Sequence, residues 1–551
     1  MNFTFNFTKG TFVFLFFCIS CQFGFTQTKD ATFYGDLLKE YEIPGLAIAI
    51  IKDGEVNSLS HHGVKSNDTQ KAVEHNTIFG AASLSKPVFA YAVMKLVKQG
   101  KIDLDKPVYL YLKNRELEYD KRYKTITTRM LLSHSGGLPN WRKDDLRLVH
   151  DPGSNFQYSG EGYVYLSKVI EHILQKPINQ VMRELVFQPL GMNNSSFIWE
   201  DRFQVNFASP HDYTGTPKPN WRPEDPVIAS SLQTTAADYA KFMIAVLKGE
   251  DLSKSAQSDI GKPQIKIDDS LAWGLGWGIR KAEKNEYLWQ WGDNGTYKAF
   301  AMMYPDREEG MVFFVNSYKG LRMLPKIINH VFEDMIPQFS MLERSMQTRA
   351  DEKLMLGIIK NGYERAIRPF LLSSTTNIDP NLISENQASY VAMQLKWRKR
   401  YEDERKLLKL IAESFPKSFM AQKSYAQYCI KHAYQEEGIQ YYKKAQAILP
   451  KNKQITNTLR LLTAEELTGN VTFVYSDYLW ASSVSVAGSF NEWSSSSMPM
   501  LKKNGVWTTT IQLEPGTYSY YFVVDGYPML DPNCEEVKKE DWLIFSVLKV
   551  E

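Results

Sequence analysis

The stretch Phe79-Gly80-Ala81-Ala82-Ser83-Leu84-Ser85-Lys86 leads into Phe89-Ala90-Tyr91-Ala92-Val93-Met94-Lys95-Leu96-Val97. The second part has the apolar spacing of a helix and stops at Gly100, a residue suited to helix ends. Ser83 is therefore expected at the mouth of that helix, where unpaired N–H groups and the dipole favour negative charge. Residues three apart share a helix face, so Lys86 projects beside Ser83. A serine hydroxyl is a poor nucleophile until a base takes its proton. A lysine becomes that base when burial or a neighbouring charge lowers its pKa. The spacing alone is not selective, because Ser414 with Lys417 and Ser546 with Lys549 share it. What surrounds it decides.

Upstream, Pro44-Gly45 opens the run LAIAII, Asp53-Gly54 turns, and Glu55 to Leu59 returns, which reads as a hairpin. Downstream, helical patterns dominate to about residue 250, with loops at Gly136-Gly137-Leu138-Pro139 and Pro217 to Pro226. Strand-like runs return after residue 270 as WGLGWGIR, YLWQWG, AFAMMYP and GMVFFVNS. Strands at both ends of a helical middle predict an antiparallel sheet whose first and last strands come from opposite ends of one domain. A cleft belongs where sheet and helical lobe meet. No G-x-S-x-G elbow occurs, which argues against an α/β-hydrolase. Among nine histidines there is no H-E-x-x-H, and His61-His62 reads as an adjacent pair in a turn. No metal and no cofactor are expected.

These landmarks together resemble the serine β-lactamase and penicillin-binding superfamily, in its class C β-lactamase, D,D-peptidase and esterase branch. Ile43-Pro44-Gly45-Leu46-Ala47 and Lys52-Asp53-Gly54 match the opening hairpin. Phe79 to Lys86 matches the nucleophile, and Leu131-Leu132-Ser133-His134-Ser135-Gly136-Gly137-Leu138 matches a later loop. Pro189-Leu190-Gly191-Met192, Thr234-Thr235-Ala236-Ala237-Asp238 and Gly274-Leu275-Gly276-Trp277 follow in order. The resemblance covers roughly residues 32 to 330 and implies a sheet packed on a helical lobe. Ser83 then becomes the nucleophile, Lys86 its base, and Tyr158 the general base or proton shuttle with Lys86. His134 is read as a scaffold residue of its loop.

Two positions depart from the pattern. The branch's Tyr-x-Asn is Tyr158-Ser159-Gly160, so Gly160 removes a substrate-facing amide. Its cation-x-Gly is Gln290-Trp291-Gly292, followed by Asp293. Gln290 carries no charge. Gly292 permits close approach, and the resemblance implies that the Asp293 and Ser83 N–H groups form an oxyanion hole. A cation there helps hold an anionic substrate group. Its loss disfavours efficient penicillin hydrolysis and favours a neutral ester or amide.

Residues 335 to 450 are charged and helical. Phe415-Pro416-Lys417-Ser418 and Leu449-Pro450-Lys451-Asn452 lie 34 residues apart, the tetratricopeptide period. Ala392, Ala426, Gly438 and Ala445 fall where that repeat wants small residues, whereas Glu404 does not. Two such repeats need a neighbour to cover their faces. From Asn470 short strands follow, punctuated by Gly505, Pro515-Gly516 and Asp525-Gly526, which predicts a small β-sandwich. Val486 to Trp493, Pro515 to Gly526 and Asp531-Pro532 resemble the glycogen-binding module of isoamylases and the AMP-activated kinase β subunit. Trp493 matches one sugar-stacking position. Tyr521 stands where those binders carry lysine, and Tyr527-Pro528 where they carry a second tryptophan, so a packed immunoglobulin-like accessory role is favoured over strong glycan binding.

The chain has 551 residues, 43% of them hydrophobic and 23% charged, which excludes collagen-like and wholly disordered readings. Its 65 basic and 62 acidic residues leave +3, so nucleic-acid binding has no electrostatic support. Lys9 precedes the uncharged Thr11 to Ile19 core and polar Gln22, Thr26 and Gln27, the layout of a secretory signal. A membrane role requires lipidation at Cys21; otherwise the chain is exported, periplasmic or secreted.

The expected architecture is multidomain. A signal peptide spans 1–27 and an α/β β-lactamase-like domain with a helical lobe spans 28–335. A helical linker over 336–384, tetratricopeptide-like repeats over 385–460 and an all-β sandwich over 470–551 complete it. Two functions stay open. The first is an exported serine acyl hydrolase acting on an ester or amide, cell-wall peptides included. The second is a non-catalytic binding protein whose repeats and sandwich recognise a protein partner or a glycan.

Overall fold

The computed structural model of the chain describes residues 30–142, 145–281, 286–332, 342–463, 469–477, 481, 483–495, 498–503, 506–540 and 543–551. The signal reading, Cys18, Cys21 and Gly505 lie outside them. The chain divides into two compact units, the first through Gln347 and the second from Thr348.

The first unit is built on an eight-stranded antiparallel sheet. Its strands are β1 (Gly45–Lys52), β2 (Glu55–Gly63), β5 (Ile265–Lys266), β6 (Leu271–Trp273), β7 (Gly278–Lys281), β8 (Glu286–Asp293), β9 (Lys298–Tyr304) and β10 (Glu309–Val315). Two short strands, β3 (Phe79–Gly80) and β4 (Gln233–Thr234), pair separately. The order β2-β1-β10-β9-β8-β7-β6-β5 sets the first strands beside the last, as expected. Leu46 opposes Val315 and Ile48 opposes Phe313.

The run LAIAII is apolar at every position because both faces of β1 are covered. Ala47, Ala49 and Ile51 face a core shared with helices α2 (Ser85–Lys98), α3 (Gly160–Leu174) and α4 (Ala236–Lys248). Leu46, Ile48 and Ile50 face a second core with Tyr34 and Leu37 of α1 (residues 30–41) and Ile327 and Ile328 of α5 (Leu324–Phe332). Each fully buried Leu or Ile among these contributes roughly 1.5–3 kcal/mol.

Three local expectations need correction. WGLGWGIR is not one strand: β6 and β7 are separated by a turn in which Gly276 has φ +89°. His61 and His62 lie in β2, paired with Ala47 and Leu46, and not in a turn. Among the described residues between Gln99 and Gly160 the chain is mostly loop and short 3₁₀ turns, with one α-helix, Thr128–Leu132. Buried residues such as Leu104, Val108 and Leu117 pin that segment without long helices.

In the second unit, α6 (Glu385–Trp397), α7 (Tyr401–Ser414), α8 (Phe419–Lys431), α9 (Gln435–Ile448) and α10 (Lys453–Thr463) follow two shorter helices at Ala350–Asn361 and Tyr363–Ile367. Helix starts recur at an offset of 34 residues, from Glu385 to Phe419 and from Tyr401 to Gln435. Ser384 and Ser418 cap corresponding helices through their hydroxyls. A β-sandwich follows, with strands β11 (Val471–Tyr475), β12 (Val484–Gly488), β13 (Leu501–Lys503), β14 (Val506–Ile511), β15 (Gly516–Val524), β16 (Tyr527–Met529), β17 (Val537–Glu540) and β18 (Leu543–Val550). One sheet runs β11-β14-β13 and the other β12-β15-β18-β17, with β16 on β15. Phe473, Tyr475, Val486, Trp507 and Phe522 fill the space between them. Cys429 and Cys534 are both free thiols.

Candidate active site

The nucleophile turn is fastened from four sides. Phe79 pairs with Thr234, and the Ala81 N–H donates to Leu232 O at 2.8 Å. Ala82 has φ +48°, a left-handed conformation costing roughly 1–2 kcal/mol for a residue with a Cβ. The Ser85 hydroxyl donates to Ala82 O at 2.6 Å and accepts from Leu232 N–H at 3.1 Å. The Tyr239 hydroxyl donates to Leu84 O at 2.9 Å. The helix itself begins at Ser85, so Ser83 lies on the preceding 3₁₀ turn, Ala82–Leu84. Side chains three apart on such a tight turn nearly eclipse, which keeps Lys86 beside Ser83.

Lys86 is 1% exposed. Its Nζ lies 3.0 Å from Ser83 Oγ and 2.9 Å from Ala229 O. Among the described residues no carboxylate comes within ion-pair distance of it. Burial alone lowers its pKa to about 7. The ring of Tyr158 lies 4.8 Å from Nζ.

Tyr158 is placed by the start of α3. Ser159 caps that helix, its hydroxyl accepting from Gly162 N–H at 2.8 Å and donating to Pro139 O at 2.9 Å. The Ser159 N–H donates to His134 Nδ1 at 3.0 Å. His134 is buried, with φ +59°, and its ring lies 4.3 Å from that of Tyr158. Burial holds its imidazole well below the ordinary value, and the Lys86 charge pushes the same way. Neutral His134 therefore supports Tyr158 as scaffold. The Tyr158 phenol is pushed far above its usual range by burial, against hydrogen bonds with Ser83 and Gln290 that pull it down. It stays protonated at neutral pH, which leaves Lys86 as the group able to accept a proton.

The third element is β8. A Cβ on Gly292 would sit 2.3 Å from Ala81 O, so only glycine lets this strand meet the nucleophile turn. β7 pairs with β8 only as far as Trp289, leaving Gln290 to Asp293 with one open edge. The Asn294 N–H donates to Tyr297 O, toward β9. Alternation along a strand turns the Asp293 N–H the other way, onto the open edge. Gln290 differs from expectation. It is wholly buried, and its amide N–H₂ donates to Ser83 O at 3.2 Å and Tyr158 Oη at 2.8 Å. It braces the two catalytic candidates and presents no donor to a ligand.

Two neighbours have no signal in the sequence reading. Lys298, 3% exposed by side chain, pairs with the Asp293 carboxylate, which also accepts from Gly295 N–H at 2.8 Å. Register makes this visible only in the fold, because Asp293 and Lys298 are cross-strand partners. Trp141 lies against Gly160 from a loop that the sequence marks only by its glycines. In the second unit, Trp493 is half-buried with φ +59°, its ring 5.4 Å from Tyr521 and 4.6 Å from Phe545. Tyr521 thus completes an aromatic platform where the resembled module has lysine. Among the described residues no three His, Cys, Asp or Glu side chains gather as a metal site.

Comparison with known proteins bears on both units. The family described as Beta-lactamase matches residues 31–330. The family described as Glycogen recognition site of AMP-activated protein kinase matches residues 470–551. Protein flp of Staphylococcus aureus is 25% identical over 341 residues, 55% of this chain and 65% of that protein. The chain thus spans under two thirds of that relative. Penicillin-binding protein 4 of Amycolatopsis lactamdurans is 27% identical over 278 residues, 44% of this chain and 73% of that one. Among solved structures, the octameric penicillin-binding protein homologue from Pyrococcus abyssi aligns with TM-score 0.48 and 24% identity, covering 55% of this chain and 77% of that chain.

Proposed function

The chain belongs to the beta-lactamase family, and from that premise we propose that it is an exported serine acyl hydrolase acting on a neutral ester or amide. One observation carries the reading. Lys86, buried with no carboxylate, lies 3.0 Å from the Ser83 hydroxyl. A lysine kept neutral near pH 7 is a base at the pH where it must work.

Ser83 Oγ attacks the substrate carbonyl carbon while its proton passes to Lys86 Nζ. The carbonyl oxygen becomes an oxyanion between the Ser83 and Asp293 N–H groups. As the tetrahedral intermediate collapses, the carbon–leaving group bond breaks. The Tyr158 phenol donates to the departing oxygen or nitrogen and is reprotonated from Lys86. A water then attacks the acyl-Ser83 ester, giving its proton to Lys86, and the acid leaves with Ser83 restored. Peptide amides, cell-wall peptides included, stay within this proposal. Gln290 offers no charge to a carboxylate, which favours neutral substrates over penicillins.

The test is labelling of the full chain with a fluorophosphonate, alongside p-nitrophenyl acetate turnover. Both should require Ser83 and vanish in Ser83→Ala. Rapid Ser83-dependent nitrocefin turnover would instead make it an efficient β-lactamase, and no Ser83-dependent adduct would leave a binding protein.

The Trp493, Tyr521 and Phe545 platform supports a weak glycan contact by the C-terminal module. The helices α6 to α9, offset by 34 residues, support a repeat surface for a protein partner. Trp493→Ala should release the chain from a glycogen column if that platform binds.

A further inference from the structure

Gly160 is walled in by the loop before it. A Cβ built on it would lie 2.7 Å from Asn140 O and 2.8 and 2.9 Å from Cη2 and Cζ2 of Trp141. The Gly160 N–H donates to Asn140 O at 2.9 Å and to Asn140 Oδ1 at 3.1 Å, and the Glu161 N–H donates to the same carbonyl at 3.1 Å. Arg142 fastens the far side. Its backbone N–H, Nε and Nη2 donate to the Glu161 carboxylate at 3.2, 3.1 and 2.9 Å, and Nη1 reaches Glu116. Glu161 is 6% exposed, so this pairing is shielded from water. Trp141 stands between two anchored residues, yet remains 46% exposed. Its indole is fixed against Gly160 and still open to solvent.

That surface is joined to the site through the short chain from Gly160 to Tyr158. Gly160 is two residues from Tyr158, about 7 Å of extended chain, and Tyr158 Oη accepts from Gln290 beside Ser83. Among the described residues, Arg142 is matched by Glu161 and Glu116, and Lys298 by Asp293. A flat apolar group finds an immobilised aromatic ring there.

We propose that Trp141 is a specificity-determining residue that stacks on an aromatic or extended apolar acyl group, filling the space an asparagine side chain at position 160 would need. The proposal rests on the acyl-hydrolase reading of the same site. A rigid aromatic wall discriminates by area covered, so its effect should grow with the size of the acyl group.

The full chain is labelled with two fluorophosphonates, one carrying a short ethyl group and one a phenylalkyl group, and second-order rates are compared. Trp141→Ala should slow the phenylalkyl probe about tenfold and change the ethyl probe less than about twofold. Trp141→Phe should keep most of the preference, and its melting temperature guards against a folding defect. Equal slowing of both probes, or no change in either, overturns the proposal while the hydrolase reading stands. If neither probe labels Ser83 in the unaltered chain, both readings fall together.

Discussion

Lys86 is the residue on which chemistry and stability meet. The unfolded chain keeps a proton on this lysine to about pH 10.5, whereas the folded chain releases it near pH 7. Between those values the unfolded state binds more protons, so stability rises with pH, and the cost of burying the lysine is fully present below about pH 7. Lys86→Met should therefore raise the melting temperature at pH 7 by several degrees and flatten its rise toward pH 9.5, while abolishing turnover. Calorimetry at the two pH values decides, and an unchanged slope would count against it. In the proposed reaction neutral Lys86 is the base, so kcat/KM should climb with pH through about 7. A flat profile from pH 6 to 9 would remove Lys86 from that role. The Ser83 and Lys86 pair is legible because the two lie three positions apart, on adjoining turns. Trp141 is not, because its partner Gly160 lies 19 positions away across a loop, and nothing local ties the two.

Among the elements, β8 carries two expectations. Gly292→Ala places a Cβ 2.3 Å from Ala81 O, and either the strand or the nucleophile turn must retreat. Misplacement by about 1 Å costs on the order of 100-fold in rate, so p-nitrophenyl acetate turnover should fall by that order. A near-normal rate would mean that the two backbones do not form the site together. Lys298 neutralises a carboxylate on the residue whose N–H faces the open edge. Lys298→Met should lower kcat/KM about tenfold, roughly 1.4 kcal/mol of transition-state stabilisation, and Asp293→Asn in the same chain should restore it. A double variant as slow as the single one would assign Lys298 to packing alone. Most strands are legible as apolar runs, and so is the meeting of the first and last strands of one domain in one sheet. The loops from Gln99 to Gly160 were misread as helical, because scattered apolar residues such as Val108 and Leu117 serve as anchors there. Gln290 was read correctly as uncharged, but its burial followed from the position of Tyr158, which no spacing reveals.

For the whole molecule, the two units have separate cores. A chain ending at Gln347 should keep its melting transition and Ser83 labelling within about twofold of the full protein, because no described residue around Ser83 named above lies beyond it. Loss of both would make the second unit part of the fold of the first. The 34-residue offset was legible from Pro416 and Pro450, whereas the aromatic platform around Trp493 was not, since Phe545 reaches it from the last strand.

The pairing of Leu46 with Val315 also sets a clock. At about 5–20 residues per second, synthesis takes on the order of 15 to 55 seconds to pass from one to the other. Until then β1 has no complete β10, and until residue 293 is made the turn that holds Ser83 has no complete β8 against it. The nascent chain thus carries Ser83 in an unassembled form until the later strands exist. Ribosome-bound chains arrested before residue 286 should take up no fluorophosphonate, and release of the complete chain should switch labelling on.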